Sequence, residues 1–211
     1  MIKWILSVVL PLNFAIAFSQ NITKITFKTK FNLQPSAVQG AMSDSRRKQV
    51  IEQINLKTHT VYLSFDQNKN VWYQSDKLED EAEMNMVKNN TLSVASANRL
   101  NTFQIRLYKN FETKECKVKN GDLIETASLV DIAWVKTAEV KRILGYLSVK
   151  YVANYKGMDM YCYVTKEIKG TASTGQYNEL DGVVLEFDGG TKSGIATKVE
   201  FNQLDIKDFF K

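Results

Sequence analysis

The sequence predicts a mainly β protein: an antiparallel, strongly curved or half-barrel-like sheet carrying one amphipathic helix. Three observations predict it. Apolar and polar residues alternate with a period of two in segment after segment. Residues that tolerate positive φ sit at several of the junctions. A single stretch breaks the alternation and carries its apolar residues at helical spacing.

Ile25, Phe27 and Phe31 share one face of the first strand, and Thr26, Lys28 and Lys30 the other. Val61, Leu63 and Phe65 form the next apolar face. Phe103, Ile105 and Leu107 alternate with Gln104, Arg106 and Tyr108, and Met158, Met160, Cys162 and Val164 with Asp159, Tyr161 and Tyr163. Val183, Leu185 and Phe187 follow, then Asp188-Gly189-Gly190, then Ile195, Thr197, Val199 and Phe201. Asn120-Gly121-Asp122 and Lys156-Gly157 supply further turns, so Val140–Tyr155 and Met158–Ile168 read as a long hairpin. Clean alternation favours antiparallel pairing with one wet face. Between the first two strands, Ser43–Lys57 holds strong helix formers, and Val50, Ile51 and Ile54 make one stripe. Its expected role is to cover part of the sheet.

The first residues have a different character. Lys3 precedes a mostly apolar run from Trp4 to Phe18 that ends in Ala17-Phe18-Ser19. Small residues at those two positions predict a secretory signal peptide over 1–19, cut before Gln20. The competing reading is an uncleaved anchor, but a bilayer core asks for roughly 20 apolar residues, and Pro11 and Asn13 interrupt this run. Residues 20–211 then form a single domain. The residue after the cut is Gln20 rather than cysteine, so a lipid-anchored N-terminus is not expected, and no later stretch is long and apolar enough to span a bilayer. The expected location is periplasmic, with secretion as the alternative.

Net charge is +5 and 44% of residues are hydrophobic, an ordinary globular balance. The lysines are scattered, and nucleic-acid binding needs denser basic clustering. His59 is the one histidine, on the strand face that also carries Val61, so a metal site of several histidines is excluded and a structural role is expected. There is no Gly-x-Ser-x-Gly elbow, phosphate loop or Cys-x-x-Cys. Asp76–Met86 is acidic, but lacks the spaced oxygens and glycine turn of a calcium loop. These features predict a non-enzyme without cofactor or metal.

Tyr146, Tyr151, Tyr155, Tyr161 and Tyr163 crowd one hairpin. Tyr146, Tyr161 and Tyr163 are candidate ligand- or partner-binding residues, since tyrosine offers rigid amphipathic contact. Cross-strand pairing on an exposed face is the plainer reading. For Cys116 and Cys162, a disulfide is the default in an oxidising compartment; two buried free thiols are the other reading.

From Tyr108 to Phe201 the order of landmarks resembles the GLPGLI family of exported Bacteroidetes envelope proteins. The pieces are Tyr108-Lys109-Asn110, Asp122-Leu123-Ile124, Trp134, Lys141-Arg142-Ile143-Leu144-Gly145-Tyr146, Lys150, Thr165-Lys166-Glu167-Ile168 and Leu180-Asp181-Gly182-Val183-Val184-Leu185-Glu186. The last stands where the family has Gly-Leu-Pro-Gly-Leu-Ile, so Leu180, Asp181, Gly182 and Val183 form the motif loop. Glu179 and Asp181 replace the motif's first glycine and its proline, which marks a divergent member. Ser148 and Ala196 stand where the family often has cysteines, so the resemblance makes Cys116–Cys162 a substitute staple. The resemblance implies a non-catalytic accessory that binds a ligand or partner, with an outer-membrane TonB-dependent transporter as the implied partner. The alternative function is a periplasmic carrier of an apolar ligand within the curved sheet.

Overall fold

A computed structural model describes residues 21–34, 43–75, 105–120, 123–175, 178, 180–203, 206 and 209–210. The signal-peptide segment, Asp76–Met86, Phe103 and Glu179 lie outside the described residues. Eleven strands form one antiparallel sheet: β1 (Ile22–Phe31), β2 (Thr58–Phe65), β3 (Asn70–Ser75), β4 (Ile105–Asn110), β5 (Glu115–Asn120), β6 (Leu123–Thr126), β7 (Val135–Ile143), β8 (Tyr146–Tyr155), β9 (Met158–Thr165), β10 (Val183–Asp188) and β11 (Lys192–Gln203). Their order is β6-β5-β4-β3-β2-β1-β11-β10-β9-β8-β7. The mainly β, single-sheet, single-helix architecture read from the sequence is the one observed.

The topology itself requires curvature. The two edge strands, β6 and β7, are consecutive in the chain, joined only by residues 127–134. A connector of that length reaches about 30 Å at most, whereas a flat sheet of eleven strands would hold its edges about 48 Å apart. The sheet therefore curls, and its edges stay unpaired with each other.

The curled inner face carries the core. Ile25, Phe27, Val61, Leu63, Phe65, Val71 and Val183 are each at or near zero exposure. The segment between β9 and β10 crosses this face. Its Ile168, Ala172 and Leu180 join the core, and Gly170 approaches Phe65 so closely that an added Cβ would stand 2.8 Å from the ring. The 127–134 connector is tied to it through Asn178, whose backbone N–H donates to the Val130 carbonyl (3.0 Å) and whose side-chain amide donates to Asp131 (2.7 Å). Ile132 and Trp134 complete this second layer.

The helix α1 spans Asp44–Leu56, with Ser43 as its N-cap accepting from the Arg46 N–H. Asp44 in the first turn offsets the cationic residues beside it and pairs with Arg47 at 3.0 Å. Val50, Ile51 and Ile54 are buried, as the stripe predicts. The helix is fastened to the end of β1 by Asn55, whose side chain accepts from Leu33 N–H (2.9 Å) and donates to Leu33 C=O (3.0 Å).

Three sequence expectations are corrected. The strand read from Val140 to Tyr155 is broken at Leu144-Gly145, where both residues have positive φ (52° and 87°), so β7-β8-β9 is a meander with two tight turns. In β11, a register shift opposite Thr26 and Phe27 moves Ile195 to the outer face, 45% exposed, and seats Ala196 in the core. One extra residue reverses which side chains face in. Cys116 and Cys162 are both buried free thiols. They belong to β5 and β9, and strand order puts six strands between them.

Candidate outer-face binding site

Of the tyrosines singled out in the sequence, Tyr161 and Tyr163 fall on the outer face of β9, alternating with the buried Met160, Cys162 and Val164, whereas Tyr151 stands opposite Cys162 on the inner face. Strand register sets Tyr163 opposite Lys150 and Glu186, and Tyr161 opposite Val152 and Asp188. The two rings meet edge-on, centroids 6.0 Å apart at 83°. Lys141 caps the Tyr163 ring at 3.9 Å and is paired with Glu186 at 2.6 Å. Lys150 lies 5.1 Å from the Tyr161 centroid and pairs with Glu139 at 2.9 Å. The Tyr163 hydroxyl donates to Glu139.

This network gives the two tyrosines different roles. Tyr163 is only 4% exposed, covered by the charged residues around it. Its hydrogen bond to Glu139 pushes its phenol up to about 12, and the same bond, followed by that from Lys150, holds the Glu139 carboxyl below its usual range. Tyr163 is a structural post. Tyr161 is half-buried and stands at the rim of a pocket. Burial first, then the Glu186 and Asp188 carboxylates, raises its phenol, so the hydroxyl stays protonated and able to donate.

The pocket beside Tyr161 holds about 350 Å³ and runs across the outer faces of β9, β10, β11, β1 and β2. Tyr161 and Glu186 line one side, and Lys28, Lys30 and Thr58 the other. Ile195, Ser193 and Gly194 of the intervening β11 line it between them. Such a volume is in the range that takes a small ligand, roughly 300–1,000 Å³. On the inner face, described residues line two smaller cavities, of about 10 Å³ and about 100 Å³, beside the β9–β10 crossing segment. Among the described residues no cluster of His, Cys, Asp and Glu could hold a metal ion, and no helix is long and apolar enough to cross a membrane.

No family model and no curated protein matches the sequence. Solved structures do. The chain is similar to PNGF-II in a C2 crystal form, with a TM-score of 0.57 and 16% identity over 90% of this chain. The P21 form of PNGF-II gives 0.54 at 16% identity over the same share. The likeness is one of fold alone. This chain spans 29% and 30% of those two chains. An outer membrane lipoprotein-sorting protein domain from Vibrio parahaemolyticus aligns over 90% of this chain and 89% of its own, at 6% identity and a TM-score of 0.35, which carries no argument.

Not every candidate residue converges on the pocket. Tyr146 is half-buried at the start of β8, packed against the core, and does not line it. Residues 180–183, read from the sequence as a motif loop, form a packed turn. Leu180 is buried, Asp181 is exposed and pairs with Lys166, and Gly182 has φ 135° at a place where an added Cβ would meet the Thr165 carbonyl. Val183 bridges in parallel to Ala172 and begins β10. Sequence reasoning missed Ile195, Lys28 and Lys30 as pocket residues. The lysines read as a solvated strand face, and the register shift hid Ile195.

Proposed function

We propose that this chain is an exported, non-catalytic binding protein of the cell envelope that takes a ligand or partner segment at the outer-face pocket beside Tyr161. The observation that carries the reading is the contrast in volumes. About 350 Å³ is open between Tyr161 and Lys28, while on the inner face Ile168, Ala172 and Leu180 of the β9–β10 segment are packed into the core beside cavities of about 10 Å³ and about 100 Å³. A carrier that holds an apolar ligand inside the curved sheet would first have to lift that segment, with Ile168, Ala172 and Leu180, out of the core. The apolar run before Ala17-Phe18-Ser19 supports export. The GLPGLI resemblance supports an accessory role beside an outer-membrane TonB-dependent transporter, in the periplasm and without a catalytic step.

The test is native mass spectrometry of the full chain, expressed with its N-terminal segment and recovered from the cell envelope. The reading expects a mature form beginning at Gln20 and a bound species that is absent from an Ile195→Glu variant. Retention of Met1 contradicts export. A bound species unchanged by Ile195→Glu contradicts the site.

A further inference from the structure

The pocket has an uneven distribution of charge, and that restricts its ligand. On the Tyr161 side the carboxylate of Glu186 already has a cation, Lys141, at 2.6 Å. On the opposite side Lys28 and Lys30 project from alternate positions of β1, so they share one face about 7 Å apart. Their cross-strand neighbours are Ile195 and Ser193 on β11 and Thr60 and Thr58 on β2, none of them acidic. Among the described residues neither lysine has a carboxylate partner, whereas Lys117, Lys141, Lys150, Lys166 and Lys198 each do. Both lysines are exposed side chains at a rim, free to close on an anion.

The middle of the pocket is apolar and the far side aromatic. Ile195 is 45% exposed on a strand whose neighbouring Gly194 and Ala196 are buried. Tyr161 is braced by the edge of Tyr163 and by Lys150, so its ring is a fixed wall rather than a free side chain. A fixed aromatic wall gives contact area without much ordering cost.

Resting on the outer-face reading above, we infer that the pocket selects a small anion joined to a ring: a carboxylate, sulfonate or phosphate held by Lys28 and Lys30, with the ring on Ile195 and against Tyr161. The anion gains the charge-assisted hydrogen bonds that no described residue supplies to these two lysines. A neutral ring leaves them in water and gains only apolar contact.

Two dyes of one ring system separate the ligand class from the site. 1-Anilinonaphthalene-8-sulfonate carries the anion, and N-phenyl-1-naphthylamine lacks it. Fluorescence titration of the full chain is expected to show the sulfonate binding at least about tenfold more tightly. That preference is expected to shrink as ionic strength rises and to be lost in the double variant Lys28→Gln, Lys30→Gln, which keeps the binding of the neutral dye. Both lysines are exposed, so an unchanged melting temperature is the folding control. Equal affinity for the two dyes, each abolished by Ile195→Glu, would overturn the anion preference and leave the site standing. Binding of neither dye, or binding indifferent to Ile195→Glu, would overturn the site and the inference with it.

Discussion

Lys109 Nζ donates to Ser173 Oγ at 2.8 Å, joining the middle of β4 to the segment that crosses the inner face. The lysine is fully buried, donates also to the Gly175 carbonyl at 2.9 Å, and lies 4.9 Å from the Phe111 centroid. Cys116 stands opposite it on β5. Desolvation lowers the Lys109 ammonium from 10.5 to about 7.

That value sets the direction of a pH effect. Between pH 7 and 10.5 the unfolded chain keeps the Lys109 proton and the folded chain has released it. Stability therefore rises with pH in that window, by up to about 1.4 kcal/mol per pH unit. Above pH 9 the buried Cys162 thiol, raised to about 12 by desolvation, acts the other way, because the unfolded chain then loses a proton that the folded one keeps. Urea unfolding between pH 7 and 8.5 isolates the lysine. The wild type is expected to gain roughly 1–2 kcal/mol across that interval, and Lys109→Met to gain much less. Parallel pH profiles for the two proteins would show that Lys109 stays charged in the fold.

Ile54 is 4% exposed on α1, while Glu52 of the same helix is exposed. Ile54→Ala is expected to cost 2–5 kcal/mol, roughly the range for a buried isoleucine, and Glu52→Ala less than about 0.5 kcal/mol. Chemical denaturation of both variants checks this. Equal and small effects would mean that the stripe is not seated on the protein.

Gly182 and Gly157 both have positive φ, but only Gly182 is crowded. An added Cβ there would lie 2.5 Å from the Thr165 carbonyl oxygen, whereas nothing stands within 4 Å at Gly157. Gly157→Ala is expected to cost about 1 kcal/mol, from backbone strain alone, and Gly182→Ala more than about 2 kcal/mol, since the buried carbonyl cannot retreat freely. Comparison of unfolding midpoints decides; a Gly182→Ala cost no larger than that of Gly157→Ala would deny the close packing of the turn at Gly182.

Both cysteines are buried, and burial raises both thiols. A thiol reagent added to the folded, unreduced protein at neutral pH is expected to react with neither, because the thiolate is the reactive form. After unfolding without reductant it is expected to find two thiols per chain. Finding none would establish the bond that strand order argues against.

The strands and the helix were legible because each has a period the core enforces. Ile25, Phe27, Val61, Leu63 and Phe65 point inward as their alternation says, and Ser43 and Lys57 flank α1 where the pattern ends. Strand order was not legible, because the pairing of β1 with β11 joins the two ends of the described chain and nothing local encodes it. Leu144 was not read as a turn because leucine carries no turn chemistry of its own; Gly145 and the adjoining strands impose its φ of 52°. Lys109 shares its strand face with Leu107, so period two sends it inward while its charge argues for water. The crossing segment resolves that conflict by supplying Ser173 and Gly175. The candidate site was half legible. Tyr161 and Tyr163 were found from their crowding, but the pocket between Tyr161 and Lys28 depends on β9, β10, β11 and β1 being neighbours in the sheet.

In the outer-face reading the ligand binds beside Tyr161 while the β9–β10 crossing segment keeps its place in the core. A backbone-amide NMR titration of residues 20–211 with 1-anilinonaphthalene-8-sulfonate tests this most directly. Perturbed amides are expected to cluster at Lys28, Lys30, Thr58, Tyr161, Ser193 and Ile195, the residues around the 350 Å³ pocket. Perturbations centred instead on Phe65, Gly170, Ser173 and Leu180 would mean that the crossing segment opens to admit the ligand, and would contradict the outer-face site in favour of an internal carrier.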